Sequence, residues 1–222
     1  VARVSHDLRN ILATAQLFTD RIEGSEDPLV RRLAPKLVGS LARAVSLCES
    51  TLAFGSAEEP APRLSMVRPE PLVQDVIDGE TLALEDAPVE LINAVPPALQ
   101  LRADPEQLYR VILNLVRNAR QALVAVGTEG QVTVSGGEGD DCWWIEVADT
   151  GPGLPLKARD HLFQAFQGGA RKGGTGLGLA ISHDLVRNHG GSLDLVSSGD
   201  DGTTFRIRLP KGNRPDLEDL RR

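Results

Sequence analysis

Two glycine-rich segments, residues 149–153 (DTGPG) and 174–179 (GTGLGL), are the part of this sequence best suited to bind a ligand. Glycine lets the backbone adopt positive φ and approach a ligand closely, and its unhindered N–H groups can surround phosphate oxygens. The second segment runs into an apolar pattern of helical period over residues 177–186, so it lies at a helix N-terminus, which attracts anions. Either segment alone is typical of an ordinary turn before a helix. Together, in this order, they predict the two walls of a pocket for ATP.

Two asparagines are the candidate metal ligands. Asn114 and Asn118 are one helical turn apart in a predicted long helix, residues 105–126, and therefore share one face of it. Asparagine is unfavourable inside a helix, so two asparagines on one face require an explanation. An amide oxygen is a hard ligand that suits Mg²⁺, which completes its coordination with phosphates and water. Asn118 is the predicted metal ligand and Asn114 the second candidate; two solvated amides are the alternative.

Asp149 ends an apolar strand pattern and is the candidate for reading the base of the nucleotide. A carboxylate at this position can accept a hydrogen bond from an exocyclic amine such as that of adenine. Gly151 and Gly153 would leave room for the ring, because they carry no side chain. The alternative is a turn at the end of a strand, in which the aspartate only caps the backbone.

The residues between the glycine segments, 154–173, are polar and contain glycines, which predicts a lid. Phe163 and Phe166 are aromatic residues that could hold this lid down over a bound nucleotide. Arg171 or Lys172, next to the phosphate-binding glycines, could neutralise the terminal phosphate. A solvated charge on the lid is equally consistent with either residue.

The elements that must position these residues follow an alternating strand and helix pattern, which predicts a two-layer α/β sandwich. Residues 131–135 and 143–148 are predicted to form a hairpin, and a turn at residues 199–202 joins the last two strands. The predicted strands are residues 89–94, 99–103, 131–135, 143–148, 192–197 and 204–209, and the predicted helices are residues 105–126 and 177–189.

An antiparallel helical hairpin is predicted ahead of this domain, over residues 1–56. Apolar residues over 4–22 follow a 4-3-4-3-4 spacing, which is a heptad seam for packing against other helices. Asp27 and Pro28 fit the N-cap and first position of a second helix, in which Pro35 predicts a kink or a late start. Two such helices cannot cover their own apolar stripe. We therefore expect a homodimer joined in a four-helix bundle.

A proline-rich stretch divides the chain. Residues 57–71 hold four prolines among charged residues, which predicts a linker. The predicted division is therefore the hairpin, this linker, an ATP-binding domain over residues 72–211 and a charged tail over residues 212–222.

Composition limits the partners and the setting. The net charge is −7 and the pI about 5.2, so the chain offers no basic face for nucleic acid. Cys48 and Cys142 fall in different predicted domains and lack metal-ligand spacing, which predicts neither a disulfide nor a zinc site and fits the reducing cytoplasm. No run of about eighteen apolar residues is present, so no membrane contact is expected. Because Val1 already stands in a helical pattern, we expect a cytoplasmic fragment of a longer protein.

The motifs, taken in order, resemble those of sensor histidine kinases. Residues 114–119 (NLVRNA), 149–153, Phe163 with Phe166, and 174–178 resemble the asparagine box, first glycine box, phenylalanine box and second glycine box of that family. The ATP-binding half alone is equally similar to the superfamily that includes DNA gyrase B, the mismatch-repair ATPases and the heat-shock chaperones. The resemblance implies an α/β sandwich of the Bergerat type that binds ATP and Mg²⁺.

The resemblance also implies a role for each residue. Asn118, and secondarily Asn114, would hold Mg²⁺ on the phosphates, Asp149 would read adenine, and the backbone of the second glycine box would surround the phosphates. The predicted cofactor-binding residues are Asn114, Asn118, Asp149, Gly151, Gly153, Phe163, Phe166, Lys172, Gly174, Thr175, Gly176, Leu177 and Gly178.

The helical hairpin favours the histidine kinases over the rest of the superfamily. Residues 5–10 (SHDLRN) resemble the phosphoacceptor box, and the heptad seam puts His6 at the outward-facing f position. An exposed imidazole is a competent nucleophile when a carboxylate orients its other nitrogen, and Asp7 can do this; the family uses this acidic residue as a general base. Asn10 implies a bifunctional kinase and phosphatase, with an ordinary surface amide as the equal alternative. Ile11 stands where the family commonly has proline, so this helix need not kink.

The combined motifs predict the catalytic core of a dimeric sensor histidine kinase. The resemblance implies ATP-dependent autophosphorylation on His6, followed by transfer to an aspartate of a response-regulator receiver domain. Two alternatives stay open. One is a phosphotransfer adaptor with a degenerate ATP site, and the other is a non-kinase ATPase of the superfamily in which His6 is incidental.

Overall fold

A computed structural model describes residues 60–84, 87–127, 129–159, 161–164 and 176–212. The chain divides into two compact units, one made of residues 1–59 with 164–178 and the other of residues 60–163 with 179–222. Nearly all the described residues belong to the second unit. The predicted hairpin over residues 1–56, and with it the four-helix bundle, lies outside the described residues, as does the tail beyond residue 212.

Strands of the described residues form two sheets. They are β1 (Ser65–Val67), β2 (Val89–Ala94), β3 (Leu101–Ala103), β4 (Gly130–Glu138), β5 (Cys142–Asp149), β6 (Ser192–Gly199) and β7 (Gly202–Pro210). The main sheet has the order β2-β4-β5-β7-β6, in which β2 is parallel to β4 and the other neighbours are antiparallel. β1 and β3 form a separate antiparallel pair. The parallel pair needs a crossover between β2 and β4, and the long helix of residues 105–126 lies in that connection.

The described residues form four helices, α1 (Pro69–Leu82), α2 (Pro105–Val126), α3 (Leu156–Arg159) and α4 (Gly178–Asn188). Three of them, α1, α2 and α4, contribute apolar side chains to the core with the main sheet. Along β4, Val132 and Val134 are buried while Thr133 between them is only half-buried, as expected for a strand with one face in the core. These valines belong to the same core as Val116 of α2 and Leu185 of α4. The predicted two-layer α/β sandwich is confirmed.

The long helix was predicted with its correct ends because both ends carry local signals. Asp104 accepts hydrogen bonds from the first turn of α2, and Pro105 occupies the start of the helix, where it loses no intrahelical bond. Gly127 ends the helix with φ of 74°, a left-handed conformation that glycine adopts without strain. The pairing of β4 with β5 and of β6 with β7 also confirms the two predicted strand pairs.

The last four strands extend one to three residues beyond their predicted bounds, α4 is one residue shorter at each end, and two further boundaries differ more. The predicted strand 99–103 begins only at Leu101, and it pairs with β1. The predicted linker 57–71 contains β1 and the first residues of α1. Pro69 lies in the first turn of α1, where the N–H that proline lacks would have no intrahelical partner in any case. Pro69, one of the prolines that suggested a linker, therefore begins a helix.

The carboxylate of Asp104 holds several segments together. Its Oδ1 accepts from the backbone N–H groups of Glu106 at 3.0 Å and Gln107 at 3.1 Å, and its Oδ2 accepts from that of Arg63 at 2.9 Å. The backbone N–H of Asp104 donates to Nε2 of His189 at 3.0 Å. Nδ1 of this buried imidazole lies 2.8 Å from a carbonyl oxygen of α4. Asp104 thus joins the chain before β1, the start of α2 and the residue after α4.

Hydrogen bonding sets the ionisation of Asp104. Burial by itself would raise the pKa of this carboxyl, but the N–H groups of Gln107, Arg63 and Glu106, with the His189 imidazole nearby, lower it below its ordinary value of 3.8. The imidazole can help only when protonated, whereas Nε2 accepts a hydrogen bond and is then unprotonated. We therefore attribute the lowered pKa to the three N–H groups.

Replacement of Asp104 tests this arrangement. Asp104→Ala removes the helix cap and should lower the free energy of unfolding by about 1 kcal/mol near neutral pH. Asp104→Asn keeps a cap but has no charge. A carboxylate with a lowered native pKa stabilises the fold above its unfolded pKa, and this contribution is lost as pH falls through the native pKa. The difference in urea stability between the wild type and Asp104→Asn should therefore shrink below about pH 4; a difference that stays constant with pH would contradict the assignment.

Candidate nucleotide-binding site

Asn114 and Asn118 lie half-buried on α2, one turn apart on the same face, as their spacing predicted. The amide nitrogen of Asn114 donates to Oγ of Ser182 on α4 at 2.9 Å. Ser182 is only 2% exposed. Asn114 is therefore not a solvated surface amide, which was the alternative for this residue. Sequence analysis did not find Ser182, because a single serine in a helical pattern carries no functional signal.

A buried carboxylate on α1 fixes the rotation of α2. Glu80, whose side chain is 6% exposed, accepts from Nε and Nη2 of Arg117 at 3.0 and 2.9 Å and from Nε of Arg120 at 2.8 Å. Two guanidinium groups around one carboxylate offset the cost of removing that charge from water. Because the two arginines flank Asn118 in sequence, these bonds hold the turn of α2 that carries the predicted metal ligand.

Asp149 lies at the end of β5 and bonds within its own turn. Its Oδ1 accepts from the backbone N–H of Gly151 at 2.8 Å. The turn is attached to β4, because the N–H of Thr150 donates to the carbonyl of Gln131 at 3.1 Å and the N–H of Gln131 donates to Oγ1 of Thr150 at 2.9 Å. The capping bond given as the alternative is thus present. A carboxylate offers about four lone-pair sites on two oxygens, so one capping bond is compatible with recognition of an amine.

Two glycines around Asp149 are required by close approach of backbone to backbone. Gly153 has φ of 72°, and a Cβ on it would overlap the carbonyl oxygen of Gly199. Gly202 has φ of 124°, and a Cβ on it would overlap the carbonyl oxygen of Asp149. The turn between β6 and β7 therefore packs directly against the segment that carries Asp149. Sequence analysis identified residues 199–202 only as a turn and missed the role of Gly202 at the site.

Phe163 of the predicted lid has an aromatic partner on α4. Its ring stacks on that of His183, with centroids 4.7 Å apart and planes 21° from parallel. His183 is 27% exposed at its side chain, so the stack lies at the surface of the domain. This contact provides a physical basis for the predicted anchoring role of Phe163, whereas no pattern in the sequence selects His183 as its partner.

The second glycine segment is described only from Gly176. Gly176 has φ of 68°, Leu177 is fully buried, and Gly178 is the first residue of α4. Glycine therefore does stand at the start of this helix. The other predicted site residues lie outside the described residues: His6, Asp7, Asn10, Phe166, Lys172, Gly174 and Thr175.

The donor groups of the site are oxygens rather than thiolates or imidazoles. Within the described residues, no group of three or more His, Cys, Asp or Glu side chains could hold a metal ion. A metal on α2 would take amide and phosphate oxygens, and this ligand set suits Mg²⁺. In the described part of the chain, no helix combines the length and apolarity needed to cross a membrane.

Comparison with known proteins identifies the family. Residues 103–213 match the family described as histidine kinase-, DNA gyrase B- and HSP90-like ATPases, and the chain belongs to that family. The sensor histidine kinase ZraS of Escherichia coli strain K12 is 30% identical over 225 residues, which cover 94% of this chain and 44% of ZraS. The sensory histidine kinase/phosphatase NtrB of Salmonella typhimurium strain LT2 is 40% identical over 131 residues, which cover 55% of this chain and 37% of NtrB. The chain thus spans less than half the length of these relatives.

Solved structures of histidine kinases have the same fold. Full-length ShkA in complex with AMPPNP matches with a TM-score of 0.73 and 28% identity, over 94% of this chain and 45% of ShkA. ThkA in complex with the response regulator TrrA matches with a TM-score of 0.67 over 95% of this chain and 60% of ThkA; at 21% identity this likeness concerns the fold alone. The predicted membership is confirmed, and the described domain is a histidine kinase ATPase domain.

Gly202→Ala should disturb the site without removing a side chain from it. The added methyl group would meet the backbone of Asp149 and would require a rarely adopted φ, so the turn has to shift. We expect a loss of about 1–3 kcal/mol in the free energy of unfolding and weaker ATP binding, measured by thermal melts with and without ATP. Gly199→Ala is the matched control, because nothing lies within 4 Å of the added carbon. Equal behaviour of the two variants would refute the role of Gly202.

Proposed function

We propose that this chain is the catalytic core of a homodimeric sensor histidine kinase, which phosphorylates itself on His6 with ATP and passes the phosphoryl group to a response regulator. The observation that carries the proposal is the extent of the match to ZraS. A match over 94% of the chain must include most of residues 1–59, over which the helical hairpin was predicted. An ATPase related only through its nucleotide domain would be expected to match that domain alone.

The described residues fit a magnesium nucleotide. Asn118, with Asn114 one turn away, offers hard amide oxygens from the half-buried face of α2. Asp149 would accept the exocyclic amine of adenine. The Cβ positions of Gly151 and Gly153 are taken by Oδ1 of Asp149 and the carbonyl oxygen of Gly199, so these glycines shape the turn and do not leave room for the ring. Mg²⁺ bound with ATP supplies charge neutralisation at the β- and γ-phosphates. AMPPNP in the matched ShkA structure supports an ATP-like ligand for this domain.

The second glycine segment and the lid would complete the nucleotide site. The backbone N–H groups of Gly174, Gly176 and Gly178 would donate to the phosphate oxygens, as glycines before a helix can. Lys172 would neutralise charge on the terminal phosphate, and Phe166 would assist Phe163 in holding the lid.

The chemical step uses His6 as nucleophile. An imidazole nitrogen attacks the γ-phosphorus in line, so that an N–P bond forms while the bond to the β,γ-bridging oxygen breaks and ADP leaves with that electron pair. Asp7 would orient the other imidazole nitrogen and take its proton. In the second transfer a carboxylate oxygen of the receiver aspartate forms the new O–P bond and the N–P bond breaks, while Asp7 returns the proton to the other imidazole nitrogen and restores the neutral imidazole.

The other parts of the proposal rest on the relatives. The hairpin over residues 1–56 would supply both the dimer interface and His6, and the ATPase domain would follow it, with β1 as the first strand that the structure describes. A response regulator as the partner follows from the resemblance of residues 5–10 to the phosphoacceptor box and from the similarity to the sensor histidine kinase ZraS. NtrB is a kinase/phosphatase, and the similarity to it supports a phosphatase activity for this chain. In that activity Asn10 would position a water molecule. The free thiol of Cys142 fits a cytoplasmic location.

Phosphate labelling tests the proposal directly. The full chain incubated with γ-labelled ATP and Mg²⁺ should acquire label that is labile to acid and stable to alkali, because that is the behaviour of an N–P bond to histidine. His6→Ala should lose this label entirely, measured by gel autoradiography after acid and alkali treatment.

His161→Ala is the matched control, because His161 is an exposed histidine of the same chain and should leave a labelled His6. Undiminished label in His6→Ala would overturn the proposal, since the acceptor would then be another residue. Absence of label in a wild-type chain that binds ATP would overturn it as well and would favour the non-kinase ATPase of the superfamily.

A further inference from the structure

The polar contact between α2 and α4 is unusual because one of its two side chains is almost fully buried. Ser182 is 2% exposed and lies among the buried residues of α4, next along that face to Leu185 and Val186. A buried hydroxyl without a partner costs free energy, whereas an alanine of nearly the same size would need none. The partner of Ser182 is the amide nitrogen of Asn114, at 2.9 Å. This contact therefore joins the helix of the predicted metal ligands to the helix that follows the second glycine segment.

The contact engages the nitrogen arm of the Asn114 amide. An asparagine amide carries two N–H donors on one arm and an accepting oxygen on the other. Since the nitrogen arm of Asn114 donates to Ser182, the Oδ1 arm is the one turned away from α4. An amide can ligate Mg²⁺ only through its oxygen, so an amide in the opposite orientation would present N–H groups to the cation.

We propose that Ser182 is a positioning residue for the nucleotide-bound metal. Its hydroxyl holds the nitrogen of Asn114, so that Oδ1 is presented toward Mg²⁺ and the phosphates before the nucleotide arrives. Groups that fix the orientation of a ligand in this way commonly change metal affinity as strongly as a weak ligand does. The inference rests on the proposed function, because it needs a magnesium nucleotide on this face of α2.

Binding measurements with and without metal test the inference. AMPPNP is titrated by calorimetry into the full chain in Mg²⁺ and again in EDTA, for the wild type, Ser182→Ala, Asn114→Ala and the double variant. Ser182→Ala should weaken binding about three- to tenfold in Mg²⁺ and leave binding in EDTA within about twofold. In the Asn114→Ala background it should have no further effect, because Ser182 acts through Asn114. Ser197→Ala, at an exposed serine of β6, is the control and should match the wild type in both conditions.

The outcomes separate this inference from the proposed function. An equal loss of AMPPNP affinity in Mg²⁺ and in EDTA, or no loss in either, would show that Ser182 only packs. The same conclusion would follow if the loss caused by Ser182→Ala added to the loss caused by Asn114→Ala. Each of these results overturns the positioning role and leaves the kinase proposal intact. If the wild type binds AMPPNP no more tightly in Mg²⁺ than in EDTA, the proposed metal site is contradicted. The wild-type measurement is therefore made before any variant is prepared.

Discussion

The fold of this domain depends on the capped start of α2. One carboxylate, that of Asp104, accepts from the first turn of this helix and from the chain before β1, while its own N–H reaches His189 after α4. Helix N-termini have N–H groups without intrahelical partners, and here the cap that satisfies them is also the junction of three segments. The direction of α2 is therefore set at its beginning, and the direction of α2 decides where both asparagines of the site lie.

The site also depends on places where only backbone fits. Gly202 approaches the carbonyl of Asp149, and Gly153 approaches that of Gly199, at distances that leave no room for a side chain. The strand end that carries Asp149 is thus shaped by a turn about 50 residues further along the sequence, because β5 and β7 are neighbours in the sheet. A site wall made by close backbone contact is rigid, which would suit the proposed role of Asp149 in meeting a planar base in one orientation.

Features with local causes could be predicted from the sequence, and features with long-range causes could not. The ends of α2 follow from Asp104 with Pro105 and from Gly127, which act within one turn, and the spacing of Asn114 and Asn118 alone places them on one face. The roles of Ser182, His183 and Gly202 depend on residues 68, 20 and 53 positions away, so no local pattern reveals them. α1 was missed for a different reason. Proline is typical both of linkers and of the first turn of a helix, so proline content alone did not distinguish the two.

Polar contacts between α2 and its neighbours would suit the proposed phosphoryl transfer better than an all-apolar interface would. Leucine and valine packing is satisfied in several registers, whereas the Asn114 to Ser182 bond and the Glu80 carboxylate between two guanidinium groups are satisfied in one. Breaking either contact leaves a buried polar group without a partner. A small displacement of α2 therefore costs more free energy than it would if the contacts were all apolar. In this chemistry the protein contributes mainly positioning and charge, and an amide displaced by a fraction of an ångström no longer ligates well. The buried polar groups of α2 are therefore part of the machinery of the site even where they touch no nucleotide.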